Sequence, residues 1–399
     1  MNPEQQIAKI LSDQFLDEII DIRRRLHQYP ELSFREYQTS ETIRKYLDLW
    51  GIAYTFPHVE TGIVAQIKGN ARGKRIALRS DMDALPISEQ SGLAFSSRNK
   101  GVMHACGHDM HMASMLGTIR VLNQLKHEIR GEVLFIFQQG EELLPGGANL
   151  MLKEGVFEGR EPDMIIAQHV LPEMETGHVG FKAGMYMAAN DEVYIRVKGK
   201  GGHAALRQDI KDPILMASQI LLNLQEEIKS NAPSDSPTVL SFGKVLADGA
   251  TNVIPDEVIL EGTFRTMNEE WRLEAHKLIE SRASTTASAM GGSVELEIRH
   301  GYPFLHNNEK ITREAKKLAT QLLGDEKVED MDTRMTAEDF AWFTQRIPGM
   351  MYRFGVGNPG SEQPCSLHSP RFKVNESALK TGISVMSYLA IELLKIEPV

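Results

Sequence analysis

Two short runs, Val133-Leu-Phe-Ile-Phe137 and Met164-Ile-Ile-Ala167, are apolar at every position and far too short to span a membrane. A strand without polar alternation is buried on both faces, so helices must cover the sheet above and below. The surrounding sequence supplies them. Helical periodicity runs from about residue 5 to 28 through Ile10, Leu11, Phe15, Ile19, Ile20 and Leu26. A second helix spans roughly Thr39 to Trp50 and stops at Gly51, and a third runs from Met110 to Leu125. Ile63–Ile67 and Arg75–Arg79 read as further strands, and helices are expected over 309–323, 336–346 and 375–395 with a strand near Met350–Phe354. The fold class is α/β, a mixed sheet between helical layers.

Near residue 184 the pattern changes. Val193–Val197, a helix over 213–228, Val239–Val245, Val258–Arg265, a helix over 269–290 and Val294–Ile298 follow in order. That is β-α-β-β-α-β, the ferredoxin-like arrangement. A chain of 399 residues has room for two to three domains at roughly 150 residues each. The simplest division is one α/β domain of residues 1–184 and 296–399, interrupted by a smaller domain over 185–295.

Composition narrows the function classes. With 42% hydrophobic and 25% charged residues, disordered, collagen-like and disulfide-scaffold readings are excluded. A net charge of −10 without a basic run opposes nucleic acid as a partner. Two cysteines, Cys106 and Cys365, make no disulfide framework, and Met1–Ile10 lacks a signal-peptide pattern, so a soluble cytoplasmic protein without a membrane partner is expected.

Chemistry-bearing residues cluster at strand ends and loops. In Met103-His-Ala-Cys-Gly-His-Asp-Met-His111, Cys106 and His108 project to one side of an extended loop, and Asp109 takes the N-cap place of the next helix. A thiolate and an imidazole so placed suit a borderline metal ion, although a buried inert cysteine would account for a lone Cys-x-His. The strand Glu132–Phe137 runs into Gln138-Gln139-Gly140-Glu141-Glu142, delivering two carboxylates to opposite sides at a sheet end. One can hold a metal while the other faces substrate as a base. Met164–Ala167 leads into Gln168-His169, and Cys365-Ser-Leu-His368 lies in a loop rich in Gly, Pro and Ser. Asp81 and Asp83 share a face after Arg75–Arg79, as metal ligands or as acceptors that orient one. In the inserted segment, His203 sits on a Gly-rich tip and Asn252 on another; ordinary turns explain these equally well.

These stretches, with Arg24-Arg-Leu-His-Gln-Tyr-Pro-Glu-Leu32, Ala337-Glu-Asp-Phe340 and Leu367-His-Ser-Pro370, closely resemble the dinuclear metallopeptidases and amidohydrolases. That family includes aminoacylase, succinyl-diaminopimelate desuccinylase and carboxypeptidase G. The specific likeness is to indole-acetyl-amino-acid hydrolases, hippurate hydrolases and N-acetyldiaminopimelate deacetylases, for which Cys106-Gly-His-Asp109 is specific. The resemblance implies two divalent metal ions bridged by Cys106, with His108 and His169 on one and Glu142 and His368 on the other. It makes Glu141 the general base for a metal-activated water and Asp83 the residue that orients a ligating imidazole. The wider family has His-x-Asp where this chain has Asp81-Met-Asp83, so Asp81 is not carried over as a ligand. The inserted domain becomes a lid and dimer interface, whose His203 polarises the scissile carbonyl in the partner's site and whose Asn252 contacts the substrate carboxylate. Zinc suits the thiolate, while manganese, cobalt and nickel also suit Glu and His. The expected activity is amide hydrolysis of N-acyl amino acids by a homodimer. A dipeptidase or aminopeptidase on the same site is the alternative. A Cys106 nucleophile leaves Glu141 and Glu142 without a role, and a silent scaffold homologue would be expected to have lost a ligand.

Overall fold

The protein is described here from a computed structural model covering residues 1–358 and 366–396; Cys365 lies outside the described residues. The chain forms two compact units. One comprises Met1–Tyr186, His306–Asp332 and Asp339–Val399, and the other comprises Met187–Leu305 and Thr333–Glu338.

Among the described residues, the first unit is built on an eight-stranded mixed sheet. Its centre is a parallel block in the order Arg130–Gln138, Ala71–Asp81, Met164–Glu175, Gly349–Gly357. Ala53–His58 and Gly62–Lys68 extend it by antiparallel pairing on one side; on the other, Val179–Phe181 pairs antiparallel with Gly349–Gly357 and parallel with the edge strand Val328–Asp330. Parallel strands put their carboxyl ends at one edge, and ligands gather there in such sheets. The helix His108–Gln124 is buried along nearly all its length and packs beneath the helix Ala378–Leu393. Gly117 makes the approach possible, since a Cβ there would lie 2.5 Å from Ile383 Cδ1.

Three local expectations change. The single helix over 5–28 is two helices, Pro3–Ile10 and Asp13–Gln28, because Ser12 leaves helical geometry and its hydroxyl caps Phe15 N. The strand at Met164 continues to Glu175, so His169 lies inside it; pairing with Gly349–Gly357 holds the polar stretch extended, with His169 opposite Arg353. Of the helix expected over 336–346 only Ala341–Thr344 forms. Asp339 is instead buried and accepts from Arg79, Gln138 and Ala148 N, while the Arg334 and Thr336 carbonyls both accept from Ala188 N in the second unit.

The second unit has a four-stranded antiparallel sheet in the order Thr238–Leu246, Glu257–Thr266, Ala189–Lys198, Ser293–His300. With the helices Pro213–Asn231 and Glu269–Ala289 it forms the ferredoxin-like topology read from the sequence. Burial alternates strictly along Ala189–Lys198, so Val193, Ile195 and Val197 meet Ile220, Leu224, Ile279 and Ala283 from the two helices. Asp212 and Asn268 cap those helices, Asp212 accepting from Ile214 N and Leu215 N and Asn268 from Trp271 N. Beyond residue 295 the unit continues to Leu305.

Candidate metal centre

Cys106 and His108 flank Gly107, the N-cap of the helix His108–Gln124, so this helix starts two residues earlier than expected. Gly107 has φ 82°, and a Cβ on it would lie 2.6 Å from Val170 Cγ2. Only glycine allows both that backbone conformation and that contact. The contact presses the thiol-bearing turn against the strand carrying His169, and Cys106 Sγ comes within 3.5 Å of His169 Nε2. Nδ1 of His169 donates to the Val170 carbonyl at 2.8 Å, which leaves the Nε2 lone pair facing the sulfur.

His108 is oriented in the same way. Its Nδ1 donates to the Asp83 carbonyl at 2.9 Å, and its buried Nε2 has no hydrogen-bond partner among the described residues. The structure therefore uses the main chain of Asp83 for the imidazole, with carboxylate Oδ1 more distant at 3.4 Å. Asp83 Oδ2 accepts from Glu142 N at 2.9 Å and from Ser33 Oγ at 2.6 Å, tying the Glu141-Glu142 turn to the end of the strand Ala71–Asp81. Glu142 Oε1 is a second buried atom without a hydrogen-bond partner among the described residues, 3.9 Å from His108 Nε2 and 3.3 Å from His368 Nε2. His368 is held in a left-handed conformation, φ 61°, by its N–H bond to the Ala105 carbonyl at 2.8 Å. Backbone strain of this kind concentrates at functional sites.

Three of the donor groups among the described residues share this space, each with its atoms within 4.8 Å of one another: Cys106/His108/His169, Cys106/Glu142/His368 and His108/Glu141/Glu142. Cys106 belongs to two of them. Sulfur, imidazole nitrogen and carboxylate oxygen are the donors a borderline divalent cation takes, and two of their buried acceptor-capable atoms lack partners among the described residues, so the residues fit a dinuclear centre. The electrostatics agree. Burial first, then the carboxylates of Glu142, Glu141 and Asp81, push the Cys106 thiol well up. Burial, followed by Arg353 and His111, holds His169 well below the usual imidazole range and therefore neutral. Burial opposes charge on His108, but Asp81, Asp83 and Glu142 outweigh it and raise the imidazolium to about 10. A divalent cation supplies the positive charge this cluster lacks and displaces such protons.

Several residues around the centre were not singled out from the sequence. His111 lies one helical turn after His108, its Nδ1 2.6 Å from Asp81 Oδ1 and its Nε2 accepting from Val170 N at 3.0 Å. Both ring nitrogens are thus engaged, and His111 braces the residue next to His169. Burial would raise Asp81, but His108, His111 and Arg79 hold its carboxyl well below the usual range. Arg79 donates to Asp81 Oδ2, Gln138 Oε1 and Asp339 Oδ1 at 2.7–2.8 Å, linking two strand ends to the turn before the helix Ala341–Thr344. The signal for this network was a lone arginine inside an apolar strand, a charge that must be paired if buried. Asp109, expected as an N-cap, is instead buried in the first turn, 2.7 Å from Arg23 Nε and 2.9 Å from His27 Nδ1. His203 and Asn252 belong to the second unit. The bridge Gly202–His203 pairs with Val253–Ile254, Ala204 N donates to the Asn252 carbonyl at 3.0 Å, and both side chains are exposed.

The N-acetylcysteine deacetylase of Bacillus subtilis (strain 168) is 38% identical over 382 residues, covering 96% of this chain and 98% of that protein. The N-acetyldiaminopimelate deacetylase of Geobacillus sp. (strain WCH70) is 35% identical and covers 93% and 96% respectively. A Bacillus subtilis crystal structure described as a dinuclear metal binding peptidase from the M20 family superposes with TM-score 0.82 at 35% identity, over 96% of this chain and 99% of that one. Residues 77–392 match the profile of peptidase family M20/M25/M40, and the chain belongs to that family.

Proposed function

We propose that this protein hydrolyses the amide bond of N-acyl amino acids, with Glu141 as the proton-transfer group. The observation that carries this reading is the pair of donor groups sharing Cys106 Sγ, with Glu141 in a third group alongside His108 and Glu142. Relatives named as deacetylases of N-acetylcysteine and N-acetyldiaminopimelate support the substrate class. Cys106, His108, Glu142, His169 and His368 would hold two divalent ions, which supply a Lewis acid for the carbonyl and lower the pKa of water. Zinc suits this donor set, and manganese, cobalt and nickel are the other candidates.

The chain's own residues do the rest. Glu141 takes a proton from the attacking water as the C–O bond forms. It returns that proton to the amide nitrogen as the C–N bond breaks, giving a carboxylic acid and an amine. Asp83 keeps the turn carrying Glu141 and Glu142 in register with His108. The test is removal of metal by a chelator, then re-addition of zinc, manganese, cobalt or nickel, with amine release followed on N-acetyl and N-benzoyl amino acids and on dipeptides. Chelation should abolish hydrolysis, one of these ions should restore it, and N-acyl amino acids should be cleaved faster than dipeptides. Faster dipeptide cleavage would make the protein a peptidase; undiminished activity after verified metal removal would exclude the reading.

We further infer that His203 acts on the carbonyl oxygen in a partner protomer's site, with Asn252 contacting the substrate carboxylate and the second unit forming the dimer interface. The exposed position of His203, bridged to the segment after Asn252, supports this. A hydrogen bond realised mainly at the developing oxyanion is worth about 10²–10³-fold in kcat with little change in KM. Mixing inactive Glu141→Gln and His203→Ala protomers should partly restore activity, because one site of each heterodimer pairs both intact residues. No restoration after demonstrated subunit exchange would place His203 in its own chain's site or outside the mechanism.

A further inference from the structure

The segment Ser33-Phe-Arg-Glu36 precedes the helix Tyr37–Leu49 and contributes no residue to the donor groups. Its contacts nevertheless converge on one point. The Glu36 carboxylate is fully buried, and its Oε1 accepts from Gly140 N and from Phe34 N, each at 2.9 Å. Its Oε2 accepts from Thr61 Oγ1 at 2.9 Å. Gly140 immediately precedes Glu141 and has φ 62°; a Cβ on it would lie 2.3 Å from the Phe34 ring. Phe34 is itself held at φ 63°, a costly conformation for a bulky residue. On the other side of Glu141, Glu142 N donates to Asp83 Oδ2, the oxygen that also takes the Ser33 hydroxyl.

The geometry points to Ser33–Glu36 as a clamp that sets the position of Glu141: Glu36 fixes the residue before it, and Ser33, through Asp83, fixes the residue after it. This rests on the reading of Glu141 as the proton-transfer group. Glu36 and Ser33 are positioning residues, and neither transfers the proton. Glu141 must reach water and the leaving nitrogen in turn, so a turn free to rotate at Gly140 populates the productive geometry less often. Misplacement by about 1 Å can cost on the order of 10²-fold in rate.

Burial, and after it the charge of Asp83, raise the Glu36 carboxyl to about 7, so glutamine is a close stand-in for it near neutral pH. Glutamine keeps one oxygen for the Gly140 and Phe34 N–H groups, whereas alanine leaves both without an acceptor. The experiment compares Glu36→Ala, Glu36→Gln, Ser33→Ala and Glu141→Gln, each loaded with metal. Glu36→Ala should lower kcat about 10–10²-fold with KM and metal content near wild type, and Glu36→Gln should recover kcat to within about threefold. Ser33→Ala should lower kcat several-fold, and it decides the matter if Glu36→Ala fails to fold. In the Glu141→Gln background, Glu36→Ala should change the residual rate little, because the clamp acts through Glu141. An unchanged kcat in folded Glu36→Ala, or an equal loss in both backgrounds, overturns the clamp. Wild-type turnover by Glu141→Gln alone overturns the reading beneath it, a separate and distinguishable failure.

Discussion

Exchanging Glu141 for glutamine lowers kcat by about 10²–10⁴-fold, the range general acid–base groups contribute, while both metal ions stay bound. Glu141 and Glu142 are adjacent, but the structure treats them differently. Glu142 approaches His108 and His368 and is in a group with Cys106, whereas Glu141 shares only the group of His108 and Glu142 among the proposed ligands. Glutamine matches glutamate in size and keeps one oxygen acceptor, so the turn between Gln138 and Gly147 has no steric reason to move. It cannot take a proton from water and return it to nitrogen. Steady-state kinetics together with elemental analysis of the same preparation check both halves of the expectation. Wild-type kcat at full metal loading would remove Glu141 from the mechanism, and loss of metal would make it a ligand.

Replacing Cys106 with alanine should have the opposite signature, loss of metal and of activity together. Burial and three nearby carboxylates keep the Cys106 thiol protonated in the absence of a cation. A cation reverses that preference, so binding releases the thiol proton. Removing a donor that belongs to two groups should weaken binding by more than the roughly 10–100-fold typical of outer-sphere changes. The wild-type affinity should rise with pH, because the thiol and the His108 imidazolium both give up protons on binding. The alanine variant should release fewer protons and show a shallower rise. Titration calorimetry in buffers of different ionisation enthalpy measures the proton count, and elemental analysis measures the metal. Two metals per chain with full activity in Cys106→Ala would refute the shared-sulfur assignment.

The positions of these residues were differently legible in the sequence. Cys106, His108, Glu141 and Glu142 lie within a few residues of strong apolar runs, and local periodicity is enough to place them at strand and helix ends. His169 was readable as a strand-end residue by type, but the strand's true length depends on pairing with Gly349–Gly357, a segment far along the chain. The helix expected over 336–346 failed for a similar reason: Asp339 is drawn into a buried network with Arg79, 260 residues away. Such pairing overrides local helical preference because a buried charge left alone is far more costly than a few unformed helical bonds.

The sequence by itself determined the α/β class and the ferredoxin-like second unit, which follow from side-chain type and short-range spacing; it offered the donor residues as candidates, and their assignment as metal ligands came from the family resemblance. Only the tertiary structure decided how those donors are oriented. The Asp83 carbonyl sets the tautomer of His108, Gly107 brings the thiol to His169, and Glu36 holds the turn before Glu141. Each joins segments distant in the chain through a main-chain group, and main-chain donors and acceptors are the same at every residue. Spacing and composition cannot tell them apart; the packing that brings them within hydrogen-bond reach does.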